Sequence, residues 1–201
     1  MTDAVLDHPA NLPPNAFTRD HVGWLPWLEP LARGDLTQRH LDGLTEPSRA
    51  GSPYFMLLAH DPEVLGARTR ADLDIFHNAE GGLPRAEREL AAASASRLNG
   101  CILCASVHAR FAASLAKRAP DVDLLLEEGT GAPLTGRWGA VVRAAAALSE
   151  TPSAFGPAEV AELDRAGLDA DERVDLVLAS AFFAWANRLM LSLGEPSPPP
   201  A

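Results

Sequence analysis

Glu89-Leu-Ala-Ala-Ala-Ser-Ala-Ser-Arg97-Leu-Asn99-Gly100-Cys101-Ile-Leu-Cys104-Ala-Ser-Val-His108 reads as two helices joined by a tight break. The first half is rich in Ala and Ser, which gives a helix whose surface a neighbour can approach closely. Asn99-Gly100 is a stop signal of the left-handed cap type. Cys101 then falls in the first turn of the next helix. At about 100° per residue, Cys104 lies about 60° and His108 about 20° from Cys101 around the axis. The three side chains share one stripe.

The same reading extends in both directions. Ser52-Pro53 and Asp61-Pro62 are start signals, an N-cap followed by Pro at the first helical position. The helix from Asp61-Pro62 is expected to stop near Asn78, before Gly81-Gly82. Leu83-Pro84 opens the Ala-rich helix, which runs to Leu98. Further helices are predicted over 101–118, 121–128, 137–148, 157–166 and 169–193, with a short one over 37–44. No run shows sustained period-two alternation with β-branched residues, so the fold is expected to be all-α. Residues 1–50 read as a Pro-punctuated, partly extended arm. Its cluster Trp24, Leu25, Trp27, Leu28 and Leu31 is broken by Pro26 and Pro30 and is expected to pack over a core or a neighbouring subunit. Residues 51–193 form the helical domain, and 194–201, with four prolines, are expected to be a mobile tail. A faint repeat at an offset of 85 residues aligns Leu83-Pro-Arg-Ala-Glu87-Arg88 with Leu168-Asp-Ala-Asp-Glu172-Arg173, which suggests a helical duplication.

Composition bounds the function. The chain has 201 residues, enough for one domain or a domain built from a duplicated unit. With 47% hydrophobic and 22% charged residues it can bury a core. A net charge of −10 repels phosphate backbones and disfavours a nucleic-acid partner. The charge-free stretch Leu176 to Asn187 is shorter than the roughly 20 residues a bilayer requires. Asp3, Asp7 and Pro9 fit no basic-then-apolar leader. The expectation is a cytoplasmic protein with no membrane partner.

Only two cysteines occur, Cys101 and Cys104. A pair confined to one C-x-x-C is not a secreted disulfide scaffold. A thiolate at a helix start is favoured by the free N–H groups there, and its partner three residues on can close a disulfide with little movement. An imidazole one turn later can carry the proton, and a carboxylate from the preceding helix can fix its tautomer. Glu89, at the edge of the stripe Ala86, Leu90 and Ala93, is the candidate. Other readings are a structural zinc site on Cys101, Cys104 and His108, which lacks a fourth ligand, and inert core thiols. For Glu89 the alternative is a surface pair with Arg85, and for Arg97 it is helix-end capping. His8, His21, His40, His60 and His77 read as scattered. Trp24, Trp27, Trp138 and Trp185 read as core or interface residues.

On Glu89, Cys101, Cys104 and His108, together with Asn99-Gly100, the sequence resembles the carboxymuconolactone decarboxylase-like fold in its alkyl hydroperoxidase D, peroxidase-related branch. Tyr54 to Arg70 resembles the approach segment of peroxidase-related members, and Phe182 to Leu189 the family's second helical copy. The resemblance covers roughly residues 50–193. It implies an all-helical subunit that forms a homo-oligomer (trimer, hexamer or dimer) and a two-cysteine peroxidase acting on hydroperoxides without a cofactor. It implies Cys104 as the peroxidatic thiol, Cys101 as the resolving one and Glu89 with His108 as the proton relay. A dithiol reductant, such as a lipoyl-type adaptor, resets the pair. Leu103 stands where the best-studied pattern has another relay histidine. The alternatives on the same residues are a disulfide reductase or redox sensor, and a non-catalytic binding or assembly module.

Overall fold

The computed structural model describes residues 5–199. Residues 1–4 of the expected arm and 200–201 of the expected tail lie outside that range. The elements in chain order are β1 (Gly23–Pro26), α1 (Gln38–Leu44), α2 (Pro53–Leu58), α3 (Pro62–His77), α4 (Arg85–Asn99), α5 (Ile102–Ala116), α6 (Ala119–Glu128), α7 (Gly136–Ser149), α8 (Pro157–Arg165), α9 (Ala170–Leu193) and β2 (Gly194–Ser197). The fold is all-α, as its periodicity predicts.

The start signals act as their chemistry requires. At α3 the Asp61 carboxylate accepts from the Val64 N–H at 3.1 Å, with Pro62 in the first helical position. At α9 Asp169 and Glu172 form a reciprocal box, each carboxylate accepting from the other's N–H at 2.9 Å. Ser52 occupies the N-cap of α2 without bonding through its side chain.

α4 is the central helix, and every residue from Glu87 to Ser96 is buried. Its run of Ala and Ser lets α5, α7 and α9 pack on different sides. The buried hydroxyls of Ser94 and Ser96 donate to their own helix, to the carbonyls of Leu90 and Ala92, both at 2.7 Å. Around this axis Leu90, Leu125, Val141, Leu168, Leu176 and Phe183 belong to one continuous core. A smaller core of Leu44, Met56, Ala59 and Leu65 joins α1 and α2 to α3. There a Cβ on Gly43 would lie 2.8 Å from the Pro62 Cα, so only glycine permits this approach of α1 to α3.

Two regions differ from expectation. Residues 194–197 do not form the expected mobile tail. Gly194–Ser197 pairs antiparallel with Gly23–Pro26, in the register Gly23↔Ser197 and Pro26↔Gly194. This ribbon joins segments about 170 residues apart and shows no alternation, which is why local pattern misses it. A Cβ on Gly194 would collide with the Leu25 carbonyl and the Trp24 indole. The arm folds beside the ribbon, with the Leu6 N–H on the Trp27 carbonyl at 2.8 Å and the Asn11 amide on Glu195 and Pro196 at 3.0 Å. The second difference is α9. The charge-free run lies within 24 helical residues, long and apolar enough by composition to cross a membrane. In the fold its inner face, including Leu176, Ala179, Phe183 and Asn187, is buried against the core.

The aligned starts of α4 and α9 are built alike. The Arg88 Nε donates to the Leu83 carbonyl at 2.5 Å and the Arg173 Nε to the Leu168 carbonyl at 2.8 Å. Arg137 from α7 bridges the pair, holding Glu87 at 2.7 Å and also Glu172.

Candidate active site

The break between α4 and α5 creates the site. Gly100 adopts φ 82°, and the Cys101 N–H returns to the Ser96 carbonyl at 3.0 Å. Cys101 is therefore the N-cap of α5, one position earlier than the first turn expected from sequence. Cys104 follows at the third helical position and His108 one turn later. The two sulfurs lie 3.0 Å apart as free thiols, about 1 Å beyond a disulfide bond. One rotamer adjustment separates them from bonding.

His108 and Glu89 meet across the α4–α5 contact. The His108 Nδ1 lies 2.7 Å from the Glu89 Oε2. A carboxylate can only accept, so Nδ1 carries the proton and Nε2 is left as the acceptor. Glu89 is 2% exposed, and its other oxygen takes the Arg85 Nε–H at 3.2 Å. Glu89 therefore does pair with Arg85, but as a buried carboxylate and not on the surface. The imidazole is wedged by Phe183, whose ring centre is 3.9 Å away, and by Phe76 at 5.2 Å. The four expected residues thus sit together, each buried.

The thiols differ electrostatically. Donation from the Cys104 thiol lowers the Cys101 pKa, helped by the Cys104 N–H and the Asn187 amide, against burial. Cys104 is raised well above the ordinary thiol range because it donates to Cys101, because it is buried and because Cys101 carries charge. Asn187 itself is fixed by Ser96 at 3.0 Å and Asn99 at 3.1 Å. Of the two, Cys101 is the thiol favoured to ionise and Cys104 the one favoured to keep its proton.

Cys104, His108 and Glu89 lie on the wall of a cavity of about 1370 Å³, larger than most ligand pockets. Cys101 is not part of the lining. Trp24, Phe76, Phe111 and Phe183 make the wall largely apolar, and residues 21–25 of the ribbon region close one side.

Several residues serve differently from their sequence reading. His21 and His77, read as scattered, line the cavity, as does Trp24, whose indole N–H donates to the Met190 carbonyl at 3.3 Å. Trp138 is core, and Trp185 is 40% exposed. Arg97 caps α6, donating to the Leu126 carbonyl at 2.9 Å, rather than its own helix or a buried carboxylate. Tyr54, Arg68 and Asp72 also line the cavity and were not singled out. The signal available for the last two was an i,i+4 charged pair on the stripe of α3 that carries the buried Leu65, Thr69 and Phe76. Among the described residues no three His, Cys, Asp or Glu side chains converge where a metal could bind.

Residues 62–150 match the family model of the Carboxymuconolactone decarboxylase family. No curated protein matches the chain. Among solved structures it is similar to the alkylhydroperoxidase AhpD core of an uncharacterized peroxidase-related protein from Ralstonia eutropha JMP134. The identity is 24%, the match covers 78% of this chain and 81% of that one, and the TM-score is 0.63. An uncharacterized peroxidase-related protein from Silicibacter sp. TM1040 is 23% identical over 92% and 94% of the two chains, with a TM-score of 0.65. The debrominase Bmp8, in complex with 2,3,4-tribromopyrrole, is 18% identical over 82% and 87%, also at 0.65. At such identities the likeness to solved structures establishes the fold. The match to the Carboxymuconolactone decarboxylase family model spans residues 62–150, and the chain as a whole has the all-helical fold seen in the alkylhydroperoxidase AhpD core.

Proposed function

We propose that the protein is a thiol-dependent peroxidase that reduces hydroperoxides through Cys104 and Cys101. The observation that carries this reading is a single arrangement. Two free sulfurs lie 3.0 Å apart, and the one on the cavity wall shares that wall with an imidazole one helical turn on, bonded to a buried carboxylate. The Cys104 thiol is held above the ordinary thiol range, so a base must remove its proton. His108 Nε2 takes that proton while Glu89 fixes the ring. The thiolate attacks the peroxide, the O–O bond breaks, and a sulfenic acid forms on Cys104. A thiol of high pKa is the stronger nucleophile once ionised. The Cys101 sulfur then displaces hydroxide, which leaves as water, and the disulfide forms. A dithiol of the lipoyl type restores both thiols by exchange.

The test is a count of free thiols by mass spectrometry before and after one equivalent of an organic hydroperoxide. Loss of both thiols to one internal disulfide is expected. In Cys101→Ser the reaction should stop at a sulfenic acid on Cys104, trapped by a dicarbonyl reagent. Retention of both thiols in the wild-type chain overturns the proposal.

The aromatic cavity favours one second reading, two-electron reduction of a halogenated aromatic at the same thiols. It draws on the likeness to a debrominase bound to tribromopyrrole. Bromide release on incubation with brominated pyrroles, with no peroxide consumption, would select it.

A further inference from the structure

The break that places Cys101 is held from another helix. At the end of α4 the Ser96 carbonyl accepts the N–H groups of both Gly100 and Cys101, the second at 3.0 Å. The Ser96 hydroxyl donates to the Ala92 carbonyl at 2.7 Å, so its oxygen is left to accept, and it takes the Asn187 Nδ2–H at 3.0 Å. The Asn187 Oδ1 in turn accepts the Asn99 Nδ2–H at 3.1 Å. One amide from α9 therefore spans the last turn of α4, from the residue that anchors the break to the last helical residue before it.

Packing alone does not call for an amide here. Asn187 and Ser96 are both 0% exposed, and an apolar side chain of similar shape would fill the same space without burying polar atoms. What the amide adds is a fixed geometry between α9 and the end of α4. On the 85-residue offset Asn187 answers to Ile102, the first residue of α5. The unbroken copy thus carries, at the position where the broken one starts a new helix, the group that holds the break.

The sulfurs depend on that turn. Cys101 caps α5 and its N–H is tied to Ser96, while its sulfur lies 3.0 Å from that of Cys104. A gap about 1 Å longer than a disulfide bond closes readily only while the backbone around it stays in place. Each freedom gained there lowers the effective concentration of one thiol at the other.

We infer that Asn187 is a positioning residue: by bonding Ser96 and Asn99 across the end of α4, it holds Cys101 at the distance from which its sulfur bonds to that of Cys104. This inference rests on the Cys101–Cys104 redox pair of the proposed function and not on which oxidant meets it. In the step, both thiols lose their hydrogens and the Sγ–Sγ bond forms. Two electrons and two protons pass to the oxidant. With oxidised dithiothreitol in that role, its own S–S bond breaks and the reduced dithiol results.

The test equilibrates the protein with oxidised and reduced dithiothreitol in varied ratio and counts free thiols by mass spectrometry. Asn187→Leu keeps the volume and removes both bonds, while the Ser96 hydroxyl keeps Ala92. Its equilibrium constant for the disulfide should fall on the order of 10-fold, about 30 mV. Asn99 is half-buried, so Asn99→Ala cuts one end of the link without opening the core. It should lower the constant about fivefold and add little on top of Asn187→Leu. Ser180→Ala is the control, because Ser180 is as deeply buried on α9 but bonds only to its own helix at Leu176. It should lower the melting temperature and leave the disulfide equilibrium alone. Values within about twofold of wild type in Asn187→Leu and Asn99→Ala, or an equal shift in Ser180→Ala, overturn the positioning role. A wild-type chain that forms no internal disulfide overturns the redox pair beneath it.

Discussion

The starts of α4 and α9 are near copies, yet only one leads into chemistry. Each begins with a buried Leu, a Glu held by Arg137 and an Arg that donates back to the Leu carbonyl. They diverge fifteen residues on. α4 stops at Gly100, and Cys101 becomes a new N-cap with free amides in front of it. α9 runs on for 24 residues, and the position 85 beyond Cys101 is Ala186, in mid-helix. A helix interior has no unsatisfied N–H to offer a thiolate. The unbroken copy instead supports the broken one, supplying Phe183 against His108 and Asn187 beside the sulfurs. One break in backbone regularity separates a reactive element from its scaffold.

Four expectations would break or sharpen that contrast. The largest effect belongs to the thiols. Cys104→Ser should lower peroxide turnover with a dithiol by more than roughly 10³-fold, since the nucleophile is gone, while the melting temperature changes little. A variant that still turns over would place the chemistry outside the broken copy. Next, Glu89→Gln keeps the shape but lets Nδ1 lose its fixed tautomer. A drop on the order of 10²-fold in single-turnover oxidation is expected, with substrate saturation unchanged. An equal effect from Arg85→Gln would show that the outer pair, not the histidine contact, matters.

The third concerns stability. Arg88 is 5% exposed and donates to the carbonyls of Leu83, Ile75, Asn78 and Gly81. Arg173 is 25% exposed and bonds to Leu168 and to Asp164, itself 70% exposed. Arg88→Met should therefore destabilise by roughly 3 kcal/mol and Arg173→Met by about 1 kcal/mol, read from urea midpoints. Equal values would deny the asymmetry between the copies. The smallest effect is in titration. Thiolate absorbance of the reduced protein should rise in two macroscopic steps, one below the ordinary thiol range and one well above it. In Cys101→Ser the like charge that raises Cys104 is lost, and a neutral hydroxyl takes the place of the thiolate acceptor. The Cys104 pKa should fall, and its alkylation should begin at lower pH than in the wild-type pair.

Much of this architecture was legible because its signals are local. Asp61-Pro62, Asp169-x-x-Glu172 and Asn99-Gly100 each set a helix end through groups within a few residues. Glu89, Cys101, Cys104 and His108 were also readable, since two adjacent helices joined by a tight turn must face one another. The opposite cavity wall was not. Tyr54 and Arg68 line the cavity with Cys104 from helices 36 or more positions earlier, and Phe183 and Asn187 arrive from about 80 positions later. Their approach depends on how α3 and α9 pack on α4, which no local period encodes. The β1–β2 ribbon was hidden for the same reason.

That ribbon has a mechanical meaning. Gly23 faces Ser197 and Pro26 faces Gly194, so the start of β1 and the end of β2 lie side by side at one end of the ribbon. Traction applied between residues 23 and 197 loads the bonds of the ribbon one pair at a time, as in a zipper, before it reaches any helix. Because residues 21–25 also form one side of the cavity, the first event under load is an opened cavity around an intact helical body.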